Sequence, residues 1–289
     1  MHKYLGNFNQ AKDMYHEGLR IYADTVGKDH ANYAATLNNL GNLLRAQCMA
    51  QDNDDDDESN SDPPLTALQR LQYSELAVEF FEEALQIRQE ELGKDHPHTI
   101  TSHSNLGAAM ASMLLQEQMN RHKNKTKDKK VDETKTTKFT QTRWEAAEHH
   151  LRTALNTAVQ SPRGKTISNA KQTNSSSGFP QIITLSAAGA AQNLAVFLKC
   201  KADSILQTKS SDDGIHNHDI NDMYAEALNL YQSSLHVRSE LLSDSHPDTI
   251  ATKFSLAELL VAAFDDEENA NQLRQEILDA YSVEEKDLK

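Results

Sequence analysis

Ala84-Leu85-Gln86-Ile87, Gly93-Lys94-Asp95-His96-Pro97 and Asn105-Leu106-Gly107 form a set of blocks that recurs, with unchanged gaps, at two other places in the chain. Upstream the blocks read Gly18-Leu19-Arg20-Ile21, Gly27-Lys28-Asp29-His30 and Asn39-Leu40-Gly41. Near the C-terminus they read Ser234-Leu235-His236-Val237, Ser243-Asp244-Ser245-His246 and Ser255-Leu256-Ala257. In each copy a small residue precedes the histidine by 12 positions, and the histidine precedes the Asn or Ser by 9. A fourth copy is split, with Ala154-Leu155 carrying its first half and Asn193-Leu194-Ala195 its second. A spacing held across three copies marks an internal repeat, and the repeat decides the architecture before any single element is read.

Each copy has a helical period. Leu76, Ala77, Phe80, Phe81, Ala84, Leu85 and Ile87 recur at i, i+3, i+4 and i+7, which draws an apolar stripe along one helix face. Ala11, Tyr15 and Gly18 keep the same offsets, as do Ala147, Leu151 and Ala154, and again Ala227, Tyr231 and Ser234. After the loop, Leu40, Gly41 and Leu44 match Leu106, Gly107 and Met110, then Leu194, Ala195 and Leu198, then Leu256, Ala257 and Leu260. A Gly or Ala beside each Leu is what a close helix crossing requires, since a larger side chain would push the axes apart. Gly27 and Gly93 stand where a helix should stop, and Pro97 and Pro247 where the next should open. The unit reads as helix, turn, helix.

These residues carry a family resemblance. Leu-Gly followed four residues on by an apolar side chain, then Ala-x3-aromatic-x2-Ala on the next helix, resembles the tetratricopeptide repeat. The motifs Leu92-Gly93-Lys94-Asp95-His96-Pro97, Asp244-Ser245-His246-Pro247 and Thr36-Leu37-Asn38-Asn39-Leu40-Gly41 resemble its kinesin light chain-like subclass, whose repeat is longer than the ~34-residue standard unit. The resemblance covers about Phe8–Tyr281, less the insertions, and departs from the consensus at its Trp position, where Leu37, His103, Ala191 and Lys253 stand. It implies an all-α fold: an α-α superhelix of the TPR type, a right-handed solenoid of about four helix hairpins. The expected divisions are 1–30, an orphan second helix plus turn; 31–95, 96–160 and 161–242, the first three repeats; and 243–289, the fourth repeat with a capping helix at about Glu267–Tyr281.

Landmarks at Ala31, Pro97, Pro180 and Pro247 lie 66, 83 and 67 residues apart, so the units carry insertions. Gln51–Thr66 holds the acidic run Asp52–Glu58, Asn120–Gln141 is rich in lysine, and Pro162–Gly178 and Thr208–Asp219 are polar. Such segments bury too little apolar area to offset ordering entropy and are expected as mobile loops. Solenoids tolerate them because loop-closure cost grows only logarithmically with length. Tyr4–Ala11 resembles the end of one repeat's first helix leading into its second. The helix from Phe8 would then lack its upstream partner, so a truncated chain, or self-association through the uncapped N-terminal helix, is expected.

The chain has 289 residues, 43 acidic against 29 basic side chains, a formal charge of −14 and 38 % apolar residues. Net negative charge argues against nucleic acid or an anionic membrane as partner, because phosphates would be repelled. The longest apolar run, Leu185–Leu198, is interrupted by Ser186, Gln192 and Asn193 and falls short of the ~18–20 residues a bilayer crossing needs. Met1–Asn7 has no apolar leader segment, and the only cysteines are Cys48 and Cys200, so a reducing, cytoplasmic setting is expected, with a mitochondrial one as alternative.

Motifs for chemistry are thin. Among 13 histidines, the pairs His96/His98, His149/His150 and His216/His218 lack zinc-finger partners, so no metal is expected. His30, His96 and His246 share one repeat position, where capping of the turn explains them. Gly164-Lys165-Thr166 resembles a phosphate loop, but Val159 stands where the first glycine is needed. The acidic run has no spaced calcium-ligand series. The lysine-rich stretch 121–138, with 8 basic and 3 acidic residues, reads as a solvated tether. No catalytic order of Ser, His and Asp or paired carboxylates is readable. Neither an enzyme, a cofactor nor a small-molecule substrate is expected.

What remains is a groove. In stacked helix pairs the first helix of each pair lines the concave face, and the family resemblance implies that this face takes extended peptides. Asn39, Asn105 and Asn193 precede the buried Leu of their repeats and are expected to form a row, one per repeat, able to satisfy a peptide main chain with both donor and acceptor. Asn38, Asn42, Arg45, Ser104, Gln192, Lys199 and Lys253 are the neighbouring groove positions, and Ser255 breaks the row. With one basic residue per repeat, a two-carboxylate clamp for chaperone tails is not expected. The function that follows is a non-catalytic adaptor or scaffold, kinesin-light-chain-like, for a protein or peptide partner. The alternatives are a mitochondrial assembly factor of the same repeat family, or the regulatory region of a larger enzyme whose N-terminal part is missing.

Overall fold

Helix follows helix along the chain, joined by short turns wherever the repeat carries its Gly-x-x-His signature. The computed structural model describes residues 7–49, 65–124, 133–161, 166, 182–208 and 216–287. Among these residues the helices are α1 (Phe8–Thr25), α2 (Ala31–Met49), α3 (Ala67–Leu92), α4 (Pro97–Asn124), α5 (Glu133–Gln160), α6 (Leu185–Thr208), α7 (His216–Leu241), α8 (Pro247–Phe264) and α9 (Glu267–Asp287). An isolated bridge joins Thr166 to Thr184. The chain divides into two compact units, Met1–His150 and Leu151–Lys289. In the first, α1 packs on α2, α2 on α3 and α3 on α4; in the second, α6 packs on α7, α7 on α8 and α8 on α9. This is the all-α, hairpin-by-hairpin architecture expected from the repeats.

The apolar stripes go inside. Leu19 of α1, Tyr33, Ala34, Leu37 and Leu40 of α2, and Ala84 and Ile87 of α3 form one cluster. Leu44 of α2, Ala77, Phe81 and Leu85 of α3, and Leu106 and Ala109 of α4 form the next. The α3 stripe therefore feeds two clusters, one with each neighbour. Burying Phe81 completely contributes ~2–3 kcal/mol by area removed from water alone. Its ring lies against Gly41, where a Cβ would fall 2.8 Å from Phe81 Cζ. The small residue beside Leu40 is thus required by the α2–α3 crossing. At the N-terminal end, α1 turns Tyr15, Leu19 and Tyr22 toward α2 and leaves Met14 and Ile21 exposed.

Two devices make the turns. Each histidine of the signature caps the helix it precedes: backbone N–H groups of Asn32, His98 and Asp248 donate to Nδ1 of His30, His96 and His246 at 3.1, 3.2 and 3.1 Å. They satisfy donors that a helix start leaves orphaned, as the shared repeat position suggested. Before the histidine the backbone takes positive φ, +91° at Gly27, +84° at Gly93 and +139° at Ser243. Only the last of these carries a Cβ, and positive φ strains such a residue. A further difference accompanies it. Thr99 Oγ1 donates to Gly93 O at 2.8 Å, whereas the equivalent Thr249 Oγ1 is buried with no hydrogen-bond partner among the described residues.

A buried arginine braces the same joint twice. Arg88 Nη1 donates to His98 O (3.1 Å) and Ser102 Oγ (2.7 Å). Arg238 Nη1 donates to Asp248 O (3.0 Å) and Thr252 Oγ1 (2.6 Å), the same relative positions in the C-terminal copy.

Helix reaches further into the expected loops than composition implied. Asn120–Asn124 belongs to α4 and Glu133–Gln141 to α5, so only 125–132 of the lysine-rich insertion falls outside the described residues. Lys, Gln, Glu and Arg are good helix formers, and continuing an existing helix needs no new nucleus. Likewise His216–Asp219 opens α7, and the last helix runs from Glu267 past Tyr281 to Asp287. The acidic run Asp52–Glu58 lies outside the described residues, as do 162–165 and 167–181. Thr66 closes the acidic insertion and starts α3 with a capping box, its Oγ1 accepting from Gln69 N–H while Gln69 Oε1 accepts from Thr66 N–H.

Two substitutions test these joints. Ser243→Gly should raise stability by ~1 kcal/mol, seen as a higher urea midpoint, because relief of backbone strain outweighs added freedom of the unfolded chain. Gly41→Ala should lower it by ~1–2 kcal/mol despite the better helix propensity of alanine, because the Phe81 ring has no room to retreat.

Candidate functional site

The candidate groove positions sit on the first helices of the hairpins, α2 and α4 in the first unit and α6 and α8 in the second. Capping histidines set the start of α2, α4 and α8, and Thr184 does so for α6 through Ala187 N–H to Thr184 Oγ1 at 3.1 Å. The fixed starts bring equivalent residues of neighbouring helices level with each other.

In the first unit, Asn38, Asn42 and Arg45 lie on one face of α2 by helical spacing. Asn105 Nδ2 of α4 donates to Asn38 Oδ1 at 3.0 Å, tying the two first helices together. Asn38 is buried by that contact and Asn105 is half-buried, while Asn39 and Asn42 are exposed. Part of the expected asparagine row is therefore spent on helix-to-helix adhesion. Ser104 is buried. Arg45 is half-buried, and its Nε is enclosed with no hydrogen-bond partner among the described residues. Burial lowers the pKa of this guanidinium, with the Cys48 thiol as a smaller opposing influence. A cationic fork held in low dielectric without an acceptor favours an anionic or strongly accepting group brought from outside.

In the second unit the expected positions are mostly occupied by contacts within the fold. Gln192 Oε1 accepts from Arg238 and from Thr252 Oγ1 (2.9 Å), so it belongs to the brace described above. Asn193 is half-buried. Lys199 pairs with Asp203 at 2.8 Å, and Asp203 also accepts from Tyr224 Oη at 2.6 Å. Lys253, expected on the open groove, is not there. Its side chain is 6 % exposed and pairs with Glu276 of α9 at 2.9 Å and with Asp244 at 3.3 Å. The reason is positional: Lys253 stands where Leu37 stands in the first repeat, a place between successive second helices, and α9 covers it. Its carboxylate partners hold its pKa above the ordinary lysine value against the opposing effect of burial. Sequence reasoning missed Phe254, 54 % exposed on α8 at the position equivalent to Asn38, Ser104 and Gln192. The repeat alignment could have found it, as an aromatic in a polar column.

Among the described residues no three His, Cys, Asp or Glu side chains converge as metal ligands, and no helix is long and apolar enough to cross a membrane. Cys48 and Cys200 are free thiols, both pushed up in pKa by burial. Gly164 and Lys165 of the phosphate-loop look-alike lie outside the described residues.

The buried Lys253 has a consequence that mutation can read. Replacing the cation by an apolar chain of similar length, Lys253→Met, should change stability by less than ~1 kcal/mol, because ammonium and ion pair are removed together. The double change Asp244→Ala, Glu276→Ala strands a buried charge and should cost ~3 kcal/mol, with faster amide exchange in α9. Equal losses in both variants would contradict this account of α9 docking.

Comparison with known proteins bears on the helix pairs. Two family models, each described as Tetratricopeptide repeat, match residues 66–117 in one case and residues 1–32 and 223–248 in the other. No curated protein matches the chain. Two crystal structures of nearly identical TPR-like repeats from a Podosopora anserina protein named as a kinesin light chain are similar. The first has 15 % identity and a TM-score of 0.49 over 96 % of this chain and 89 % of that one. The second has 16 % and 0.46 over 96 % and 88 %. BtubC (BKLC) from P. vanneervenii is similar at 14 % identity and a TM-score of 0.45, over 96 % of this chain and 91 % of that one. The family matches fall on α1 into α2, on α3 with most of α4, and on α7 into α8, the helix–turn–helix segments that the internal repeat picks out. These segments of the chain match the tetratricopeptide repeat.

Proposed function

We propose that the protein is a non-catalytic scaffold, kinesin-light-chain-like in its repeat motif, that holds a protein partner by an extended peptide segment laid along the α2–α4 face of the first unit. Exposed Asn39 and Asn42 offer donors and acceptors for a peptide main chain, in the manner that suits extended segments. The observation that carries the reading is Arg45, whose enclosed Nε lacks an acceptor within the described fold. A side-chain or terminal carboxylate of the partner pairs with the half-buried guanidinium through its Nη groups rather than the enclosed Nε, and a charge-assisted bond of this kind contributes ~1.5–3 kcal/mol. The second unit contributes less to recognition, since Gln192, Lys199 and Lys253 are engaged within it. Two free thiols and the absence of a disulfide framework fit a reducing compartment, and the cytoplasm is the setting we assign.

Selection of a random peptide library on the purified chain tests this reading. Wild-type protein should enrich a consensus containing a carboxylate. Arg45→Ala should weaken binding of the selected peptides at least ~10-fold, and Asn39→Ala with Asn42→Ala by a further few-fold, with helicity by circular dichroism unchanged. Failure to enrich any consensus, or equal binding by the Arg45 variant, would remove the proposal.

A further inference from the structure

Away from the α2–α4 face, two half-buried imidazoles meet inside the first unit. His103 of α4 and His150 of α5 set their Nδ1 atoms 2.9 Å apart. The side-chain NH2 group of Gln89 on α3 donates to the other nitrogen of His103, Nε2, at 3.1 Å. That bond fixes the tautomers of both rings. His103 carries its proton on Nδ1 and donates it to His150 Nδ1, while His150 carries its own proton on Nε2. The chain of bonds from Gln89 to His150 therefore links three helices and requires both rings to be neutral. His103 stands where Leu37 and Ala191 place buried apolar side chains, so packing alone does not call for an imidazole there.

We propose that the Gln89–His103–His150 chain is a proton-sensitive latch, which holds α5 on α4 at neutral pH and loosens in mild acid. One added proton reverses the chain: the His150 imidazolium donates from Nδ1 to His103 Nδ1, and the Gln89 amide must turn its oxygen to His103 Nε2–H. A second proton sets two N–H groups against each other at 2.9 Å and breaks the bond. The surroundings do not offset the charge. From α3 the pair meets the neutral Gln89 amide, while Arg88 acts on His98 instead. From α5 it meets His149, exposed and of like sign when protonated. The Glu117–Arg143 ion pair joins the same two helices about four turns further along, out of reach of the rings. Burial first, and then His150 and His149, hold the His103 pKa down to about 4, and burial followed by His149 lowers that of His150. Both rings thus take up protons more readily in the unfolded chain. Their stabilising contribution is complete above the ordinary histidine pKa of ~6.5 and is lost as the pH falls from there toward 4.

Amide hydrogen exchange of the full chain, corrected for the intrinsic pH dependence of exchange, tests the latch over residues 143–150 of α5. Between pH 7.5 and 5.0 the protection of this stretch should fall ~20-fold more in the wild type than in His103→Leu, which installs the residue type that Leu37 has at the same repeat position. His150→Leu should flatten the pH profile in the same way, and His149→Gln should keep the wild-type slope. Circular dichroism at pH 7.5 establishes that each variant folds, and either leucine variant decides if the other does not. A wild-type pH dependence that persists in the leucine variants would overturn the proposal by placing the proton uptake on other histidines, and so would its loss in His149→Gln.

Discussion

No single hairpin of this chain can hide its own apolar stripe. Leu37 is enclosed by side chains from α1, α2 and α3, and Phe81 by side chains from α2, α3 and α4. In the first unit two such clusters each span three successive helices, and the remaining features of the fold keep those helices in register. Gly41 lets α2 and α3 approach until the Phe81 ring touches backbone. Stability in such a series is a sum of local and nearest-neighbour terms, which is why long polar insertions between paired helices leave the pairing intact.

Polar groups in this interior sit at the joints rather than scattered through it. A capping histidine, a residue with positive φ and a buried arginine recur at the turn into α4 and at the turn into α8. The turn into α2 keeps the histidine and the glycine, with Tyr22 in place of the arginine. Each arginine fills the carbonyl and hydroxyl acceptors that the start of the following helix presents, which satisfies the rule that a buried charge must be hydrogen-bonded. Arg45 lacks this arrangement: its enclosed Nε has no such acceptor among the described residues, in contrast to Arg88 and Arg238.

Most of the fold was legible because the repeat states it several times over. Spacing alone located the hairpins, the glycine turns and the capping role of His30, His96 and His246. The candidate groove was less legible, for a physical reason: helical period places a residue on a face but does not say what will cover that face. Lys253 read as a groove cation until α9 was seen to lie over it, and Gln192 read as a peptide contact until Arg238 and Thr252 were seen to use its oxygen. Asn105 divided between the two readings, since its amide bonds Asn38. Insertion boundaries were misjudged for a different reason. Composition predicted loop where Asn120–Asn124 and Glu133–Gln141 continue helices, because polar residues with unbranched stems extend a helix once it has started.

The double duty of α3 sets a grain size for damage. A lesion on its stripe is felt by the cluster on either side, so disorder begun there travels both ways along the first unit, whereas one begun in α1 has a single direction to go. Cutting the chain through α3 would open two interiors at once, but trimming α1 would bare only one flank of α2. The smallest piece of this unit able to stand alone is therefore counted in whole consecutive hairpins, never in individual helices.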